Sequence, residues 1–395
     1  MRLIKWVLLV FFISCTGEKS EYQTEEKSET EPEEGIVLRP INIYEKLPDP
    51  IVQIDSLFEF VDLVPFEVPE SAFLSSITKL KLVGSEFLVF DKKQLKLMLF
   101  DKSGKFIRTY GSKGEGPGEY LDISDFEVFD GKVYLMSRGN QALLVYDVDS
   151  GEFLEKIPIG IFGDKLASVG NGEFVIYVNH NTANDHFNIY RIDSMGNILD
   201  SYFRFDPKKE TMIITISGFM TKSELGVNFS KPFHDTVYTY DVEGKDFKAK
   251  YHTDLLSEFM VENQRDFMAL ASPETLVKSV RGGESMNGNY LLENKDYLVF
   301  NFLDYSTFKS GVFDKENSEF SVFAYISENP IFRLFDDPQV LTDDNLLYFP
   351  VYGEKVMSDD FINQNFESEF QSKLVEKLEA KGKDYPYFIC VSRIR

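Results

Sequence analysis

From Ile51 to the C-terminus, apolar and polar residues alternate in short runs broken by turns rich in glycine and aspartate. Residues 100–120 show the unit most clearly. Asp101-Lys-Ser-Gly104 is a turn in which Gly104 can take positive φ at no steric cost. Phe106, Arg108 and Tyr110 then alternate with Ile107 and Thr109, the period-two pattern of a strand. Gly111, Gly114, Gly116, Pro117 and Gly118 follow in a loop too glycine-rich for helix or strand. The stretch predicts a β-hairpin and a crossing loop, and weaker copies recur downstream.

Leu80–Val83, Glu86–Phe90, Leu95–Phe100 and Phe106–Tyr110 form one predicted set of four strands. Phe126–Phe129, Val133–Met136, Leu143–Asp147 and Phe153–Ile157 form a second. Further sets lie between Lys165 and Phe205, Ile216 and Tyr251, and Ser285 and Tyr325. Asp147, Asp193, Asp241 and Asp314 each end a third strand just before its turn. The last set, Val340-Leu341, Leu346–Val351 and Tyr387–Ile394, is one strand short. Upstream, Phe58, Phe60, Asp62, Val64 and Phe66 share one face of a strand running to Val68, and Pro65 suits a sheet edge. That strand is free to complete the last set.

Two helical insertions interrupt the sets, at about 255–282 and 360–381. In the first, Leu256, Phe259, Met260, Phe267 and Leu270 share a face, and Ser272-Pro273-Glu274 looks like a fresh helix start. In the second, Phe366, Phe370, Leu374 and Leu378 recur every four residues, with Lys377 and Lys381 in the last turn and Gly382 as C-cap. Removing about 50 inserted residues from roughly 345 leaves ~49 per set for six sets, the size of a propeller blade. A lone four-stranded sheet leaves both faces bare, and radial packing covers them. The predicted fold is all-β: a six-bladed β-propeller of four-stranded antiparallel blades, one domain over residues 51–395.

Phe100-Asp-Lys-Ser-Gly-Lys-Phe-Ile107, then Gly111, then Gly114-Glu-Gly-Pro-Gly-Glu-Tyr120, is similar to the first-blade signature of six-bladed β-propeller lipoproteins related to NHL-repeat and TolB-like propellers of Gram-negative bacteria. Leu63-Val-Pro-Phe-Glu67 and Tyr385-Pro-Tyr-Phe-Ile-Cys-Val391 resemble that family's first and last strands. The resemblance implies a cell-envelope protein of mostly undefined role. It carries over no catalytic residues.

The N-terminus changes the picture from a free domain to a tethered one. Arg2 and Lys5 flank an apolar core, Trp6–Ile13, far shorter than the ~20 residues a membrane-spanning helix needs. Phe12-Ile-Ser-Cys15 resembles a lipobox, although Phe12 stands where an aliphatic residue is usual. Residues 1–14 are therefore expected to be a lipoprotein signal peptide and Cys15 the lipidated residue. The alternative is an ordinary secretory signal, or an uncleaved anchor, with an incidental cysteine. Residues 15–50 are read as an acidic disordered tether, because 18–34 hold eight Glu and no aliphatic residue. Such an acidic run resembles a signal for the outer face of the outer membrane, and is equally consistent with a solvated linker. The expected location is the cell envelope, lipid-anchored to the outer membrane.

The formal charge is −23, and −25 once Arg2 and Lys5 leave with the signal. A surface this acidic repels phosphate backbones and anionic lipid, which argues against nucleic acid and against membrane contact beyond the anchor. With Cys15 lipidated, Cys390 has no disulfide partner.

No motif nominates catalytic, cofactor-binding or metal-binding residues. The 111–118 loop is unlike a phosphate cradle, since Pro117 lacks a donor, Glu115 and Glu119 repel anions, and a strand follows. His180 and His186 sit in a polar loop at a spacing foreign to zinc sites. Asp336, Asp337 and Asp343-Asp344-Asn345 read as turn chemistry. Tyr120 and Tyr305 are aromatic residues near loops that can stack on a sugar or peptide. The expected function is a monomeric binding module whose loops meet a peptide, glycan or partner protein. The alternative is a glycan hydrolase or lyase using carboxylates at the propeller channel.

Overall fold

A computed structural model describes residues 39–41, 54–207, 219–231, 234–255, 286–304, 307–324, 337–353, 368–381 and 385–395. Strand β1 (Arg39–Pro40), helix α1 (Ile54–Leu57) and strand β2 (Phe58–Pro65) precede the first blade. That blade is β3 (Lys79–Val83), β4 (Glu86–Asp91), β5 (Lys96–Phe100) and β6 (Phe106–Tyr110). A short ladder, β7 (Ser112–Lys113) with β8 (Glu119–Tyr120), leads to the second: β9 (Asp125–Phe129), β10 (Lys132–Ser137), β11 (Ala142–Asp147) and β12 (Phe153–Pro158). The third is β13 (Lys165–Gly170), β14 (Glu173–Tyr177), β15 (Phe187–Ile192) and β16 (Ile198–Arg204). The fourth is β17 (Phe219–Ser223), β18 (Gly226–Ser230), β19 (Thr236–Asp241) and β20 (Asp246–His252). The fifth is β21 (Met286–Glu293), β22 (Tyr297–Asp304), β23 (Thr307–Asp314) and β24 (Glu319–Ala324). The sixth holds β25 (Val340–Leu341), β26 (Leu346–Tyr352) and β27 (Tyr387–Ile394), with α2 (Glu369–Lys381) inserted before β27.

Each sheet is an antiparallel meander, and the sixth is completed by β2 in the order β2-β27-β26-β25. Six blades and the expected closing strand are thus both present. The inner strands meet in ring order, β9, β13, β17, β21, β25 and back to β3, and Lys79 of β3 reaches Asp125 of β9.

The continuous apolar runs of the middle strands follow from this packing. In β4, Phe87 and Val89 face the sixth blade beside Ile389 and Val391, while Leu88 and Phe90 face the second beside Phe126 and Leu135. Both faces of a blade are interior, so every residue of such a run is buried.

The turns between third and fourth strands repeat one device. Asp101, Asp147, Asp193, Asp241 and Asp314 each accept, on Oδ1, the main-chain N–H two residues on, at 2.8–3.2 Å. A carboxylate at this position substitutes for a main-chain acceptor and fixes the turn. Two of these turns also press against the preceding blade. Gly104 (φ +84) lies beside Pro65 of β2, and Gly196 (φ +85) beside Pro158 of β12.

Closure pairs Phe58 with Ile394 through to Pro65 with Phe388, with one bulge between Phe60 and Asp62. Helix α2 covers β2: Phe370 meets Phe60 edge-on at 5.5 Å, and Lys377 reaches Asp62 at 3.1 Å. Its buried residues include Phe370, Leu374 and Leu378, the predicted apolar face. The insertion expected at about 255–282 falls, from 256 on, outside the described residues, as do Phe366 and Gly382.

Inside the segment expected to be a tether, residues 39–41 add to the fourth blade. Arg39 and Pro40 pair in parallel with Tyr251 and His252, and Ile41 is fully buried. The signal segment and Cys15 lie outside the described residues. Among the described residues, no helix is long and apolar enough to cross a membrane.

Candidate functional site

The inner strands enclose a channel of ≈ 900 Å³. Its upper mouth, at the N-terminal ends of these strands, is lined by Lys92, Arg138, Asp164, Asn179, Asn181 and Asp337. Its lower mouth carries Ser223, Glu224, Thr342 and Asp343.

Between the mouths the wall is built in two levels by strand alternation, which points every second residue of β3 and β9 the same way. At the upper level Lys79 Nζ lies 2.7 Å from Asp125 Oδ1 and 2.7 Å from the Phe126 carbonyl oxygen. Asp125 Oδ2 also accepts the Leu166 N–H at 2.8 Å, tying β9 to β13. Two residues further, Lys81 is bonded to Glu127 Oε1, and Lys222 donates to Ser168 Oγ.

Exposure separates the signs. The Lys79 and Lys81 side chains are each 22 % exposed, whereas Asp125 and Glu127 are 3 % and 1 %. Lys165 and Lys222 are exposed residues of the wall. At these two levels the lysines therefore face the lumen with Asp125 and Glu127 beneath them, whereas Asp164, Asp337, Glu224 and Asp343 line it nearer the mouths. Burial alone would raise the Asp125 and Glu127 pKa values, but the lysines outweigh it and hold both below the usual carboxylate range: Lys79 and Lys165 for Asp125; Lys81, Lys79 and Lys222 for Glu127. Glu127 Oε2 is buried and receives no hydrogen bond among the described residues. Asp337 behaves differently, because burial pushes its pKa up to about 6 against the opposing charge of Lys165.

At the mouths, Arg138 is held by Asp164 Oδ1 and the Gly163 carbonyl oxygen, each at 2.6 Å. Glu293, also on the channel wall, points into the seam between blades four and five. There it takes Asn228 Nδ2 at 2.6 Å, Tyr251 Oη at 2.7 Å, Lys250 at 2.8 Å and Lys315 at 2.6 Å. Its role there is to join two blades.

Those motifs singled out by sequence that fall on described residues make local contacts. In the 111–118 loop the Glu119 carboxylate accepts the Gly116 N–H at 2.8 Å, and Gly118 gives its carbonyl to Tyr146 Oη at 2.9 Å. Tyr120, expected near a loop surface, is buried and donates to the Leu95 carbonyl oxygen at 2.8 Å. Tyr305 lies outside the described residues, as does Asp336. His180 is buried, paired with Asn188, and both His180 and His186 pack on Phe205. Thr342 bonds Asp344 at 2.6 Å, and the Asn345 N–H reaches the Thr342 carbonyl oxygen at 3.1 Å, a local turn. On the outer edge of blade four, Asp235, His252 and Asp254 bring one donor atom each within 4.8 Å of one another.

The lumen lysines were not among the residues nominated from sequence. Their signal is the charged-apolar alternation of Lys79-Leu-Lys-Leu and Asp125-Phe-Glu-Val in first strands, where neighbouring strands are continuously apolar.

A family model described as Domain of unknown function (DUF4934) matches residues 38–384. No curated protein matches the sequence. The crystal structure of a Bacteroides fragilis NCTC 9343 protein, named for its expected export, is similar at TM-score 0.73 and 16 % identity, over 91 % of this chain and 100 % of that one. A member of the DUF4221 family from Bacteroides vulgatus ATCC 8482 is similar at TM-score 0.53 and 9 % identity, over 87 % and 99 %. At such identities the likeness is one of fold.

Proposed function

We propose that this chain, which belongs to the DUF4934 family, is an envelope-tethered module that binds a ligand in its central channel. The observation that carries the reading is the layering at mid-channel, Lys79 and Lys81 outward and Asp125 and Glu127 held beneath them. A wall of this kind offers fixed donors to a ligand. Glycan hydrolysis needs a protonated acid and an ionised carboxylate facing each other across about 5–9.5 Å of open site. Asp125 and Glu127, the carboxylates at mid-channel, are bonded by lysines and almost wholly buried, which favours binding over that chemistry at these two residues.

The envelope part of the proposal rests on the lipobox-like Phe12–Cys15 and on the acidic run after it. The name of the Bacteroides fragilis neighbour, which speaks of export, agrees with it. Kinship with NHL-repeat and TolB-like lipoprotein propellers belongs to the same proposal.

The test uses the unanchored Cys15→Ala chain on a panel of peptides and glycans. Retention that is lost in Lys165→Glu, with no product released, supports channel binding. Release of shortened saccharides, or retention indifferent to Lys165→Glu, overturns it.

A further inference from the structure

Asp235, His252 and Asp254 lie away from the channel, at one end of the outermost hairpin of blade four. Asp235 immediately precedes β19, His252 ends β20, and Asp254 follows two residues on. Asp235 is buried, at 8 % exposure. The His252 and Asp254 side chains are 43 % and 66 % exposed, and His252 Nε2 stands 3.9 Å from Asp254 Oδ1.

The backbone that carries these groups is held from both flanks. Thr236 pairs with His252, and the Thr253 N–H and hydroxyl both donate to the Asp235 carbonyl oxygen, at 3.0 Å and 3.1 Å. On the other flank Pro40 of β1 pairs with His252, whose carbonyl oxygen accepts the Ile41 N–H at 2.9 Å. Donors mounted on such a frame are positioned before any ligand arrives.

The imidazole makes the set more than a group of acids. One ring nitrogen with two carboxylate oxygens is a donor set suited to zinc and neighbouring transition metals, whereas magnesium and calcium take oxygen. With zinc–donor distances of about 2.0–2.2 Å, ligand atoms in a tetrahedron lie about 3.4 Å apart. The three groups, within 4.8 Å of one another, are somewhat wider. Rotation of the exposed Asp254 side chain closes the difference.

We propose that Asp235, His252 and Asp254 form a site for a divalent transition-metal ion of the zinc class, with a fourth position open to water. The bound ion also fastens β1 to blade four, because the residue that ligates it is the one that Pro40 pairs with and Ile41 bonds. The site does not depend on the channel-binding reading.

Calorimetry of the soluble, tag-free Cys15→Ala chain with zinc chloride, and with magnesium chloride as the oxygen-seeking control, tests it. Zinc should bind at least about tenfold more tightly than magnesium. His252→Ala, Asp235→Asn and Asp254→Asn should each weaken zinc about tenfold or more, and His186→Ala should leave it unchanged. Thermal melting reports whether each variant is folded, and zinc should raise the melting temperature of the parent chain but not that of His252→Ala. Amide exchange at Ile41 should slow when zinc is bound. No zinc binding, or equal affinity for zinc and magnesium, overturns the site. Zinc affinity retained in folded His252→Ala and Asp254→Asn proteins also overturns it, since that is attraction to an acidic chain alone. Zinc bound at the site with Ile41 exchange unchanged overturns the fastening of β1.

Discussion

The Asp55 carboxylate accepts the Phe370 N–H at 2.8 Å and the Glu369 N–H at 3.0 Å, across 315 and 314 positions of sequence. A residue just ahead of the closing strand therefore caps the helix inserted before the last strand. Ser368 Oγ adds the local cap, accepting the Gln371 N–H at 3.2 Å. Asp55→Ala should cost about 1 kcal/mol in urea unfolding, and Asp55→Asn should recover most of it. Amide exchange should quicken at Phe370 and leave blades two and three unchanged.

Gly104 and Gly84 offer a paired test of positive φ. Both have it, but a Cβ on Gly104 would sit 1.9 Å from the Pro65 carbonyl oxygen, whereas one on Gly84 meets nothing within 4 Å. Gly84→Ala should cost about 1 kcal/mol, from backbone conformation alone. Gly104→Ala should cost about 2 kcal/mol or more, because it also drives the first blade off the closing strand.

Glu293 makes stability depend on acid. Burial would raise its pKa, yet Lys250 and Lys315 outweigh burial and bring it below the usual glutamate value. A carboxylate with a depressed folded pKa adds stability above its unfolded value, about 4.3, and loses it as pH falls through the folded one. Glu293→Gln should lose about 3 kcal/mol at neutral pH, because Lys250 and the buried Lys315 both lose the carboxylate they share. Its stability should then fall less steeply than wild type below about pH 4.3, as chemical denaturation at stepped pH would read.

Cys15→Ala should move the protein from the membrane fraction to the soluble fraction. Mass spectrometry of the wild-type N-terminus should show acyl chains on Cys15. A wild-type protein without them, or a variant still in the membrane, contradicts lipid anchoring.

What could be read from sequence was what local chemistry decides. Asp147, Asp193, Asp241 and Asp314 marked turns because an aspartate shapes a turn from its own neighbours. The closing strand was legible because the last set lacked a member and Phe58–Val68 had no other partner. The lumen was not legible. Lys79-Leu-Lys-Leu reads as any half-exposed strand, and only the ring decides that its polar side faces a channel rather than bulk water. The β1 pairing was hidden for a related reason. Arg39-Pro-Ile41 is too short to show a period, and the burial of Ile41 depends on a blade some two hundred residues away.

The division of the last blade between β2 and three late strands also sets an order of events in time. A chain made from its N-terminus produces the closing strand first and its partner, Tyr387–Ile394, last. Throughout that interval Phe58, Phe60 and Val64 have no β27 to pair with, and the five intervening blades can form only an open arc. Pairings so distant in sequence form slowly, and an unpaired strand edge meanwhile invites other chains. The hazard is therefore concentrated in the nascent protein: until its final strand arrives, β2 has no β27 to pair with and the ring of separate sheets stays unclosed.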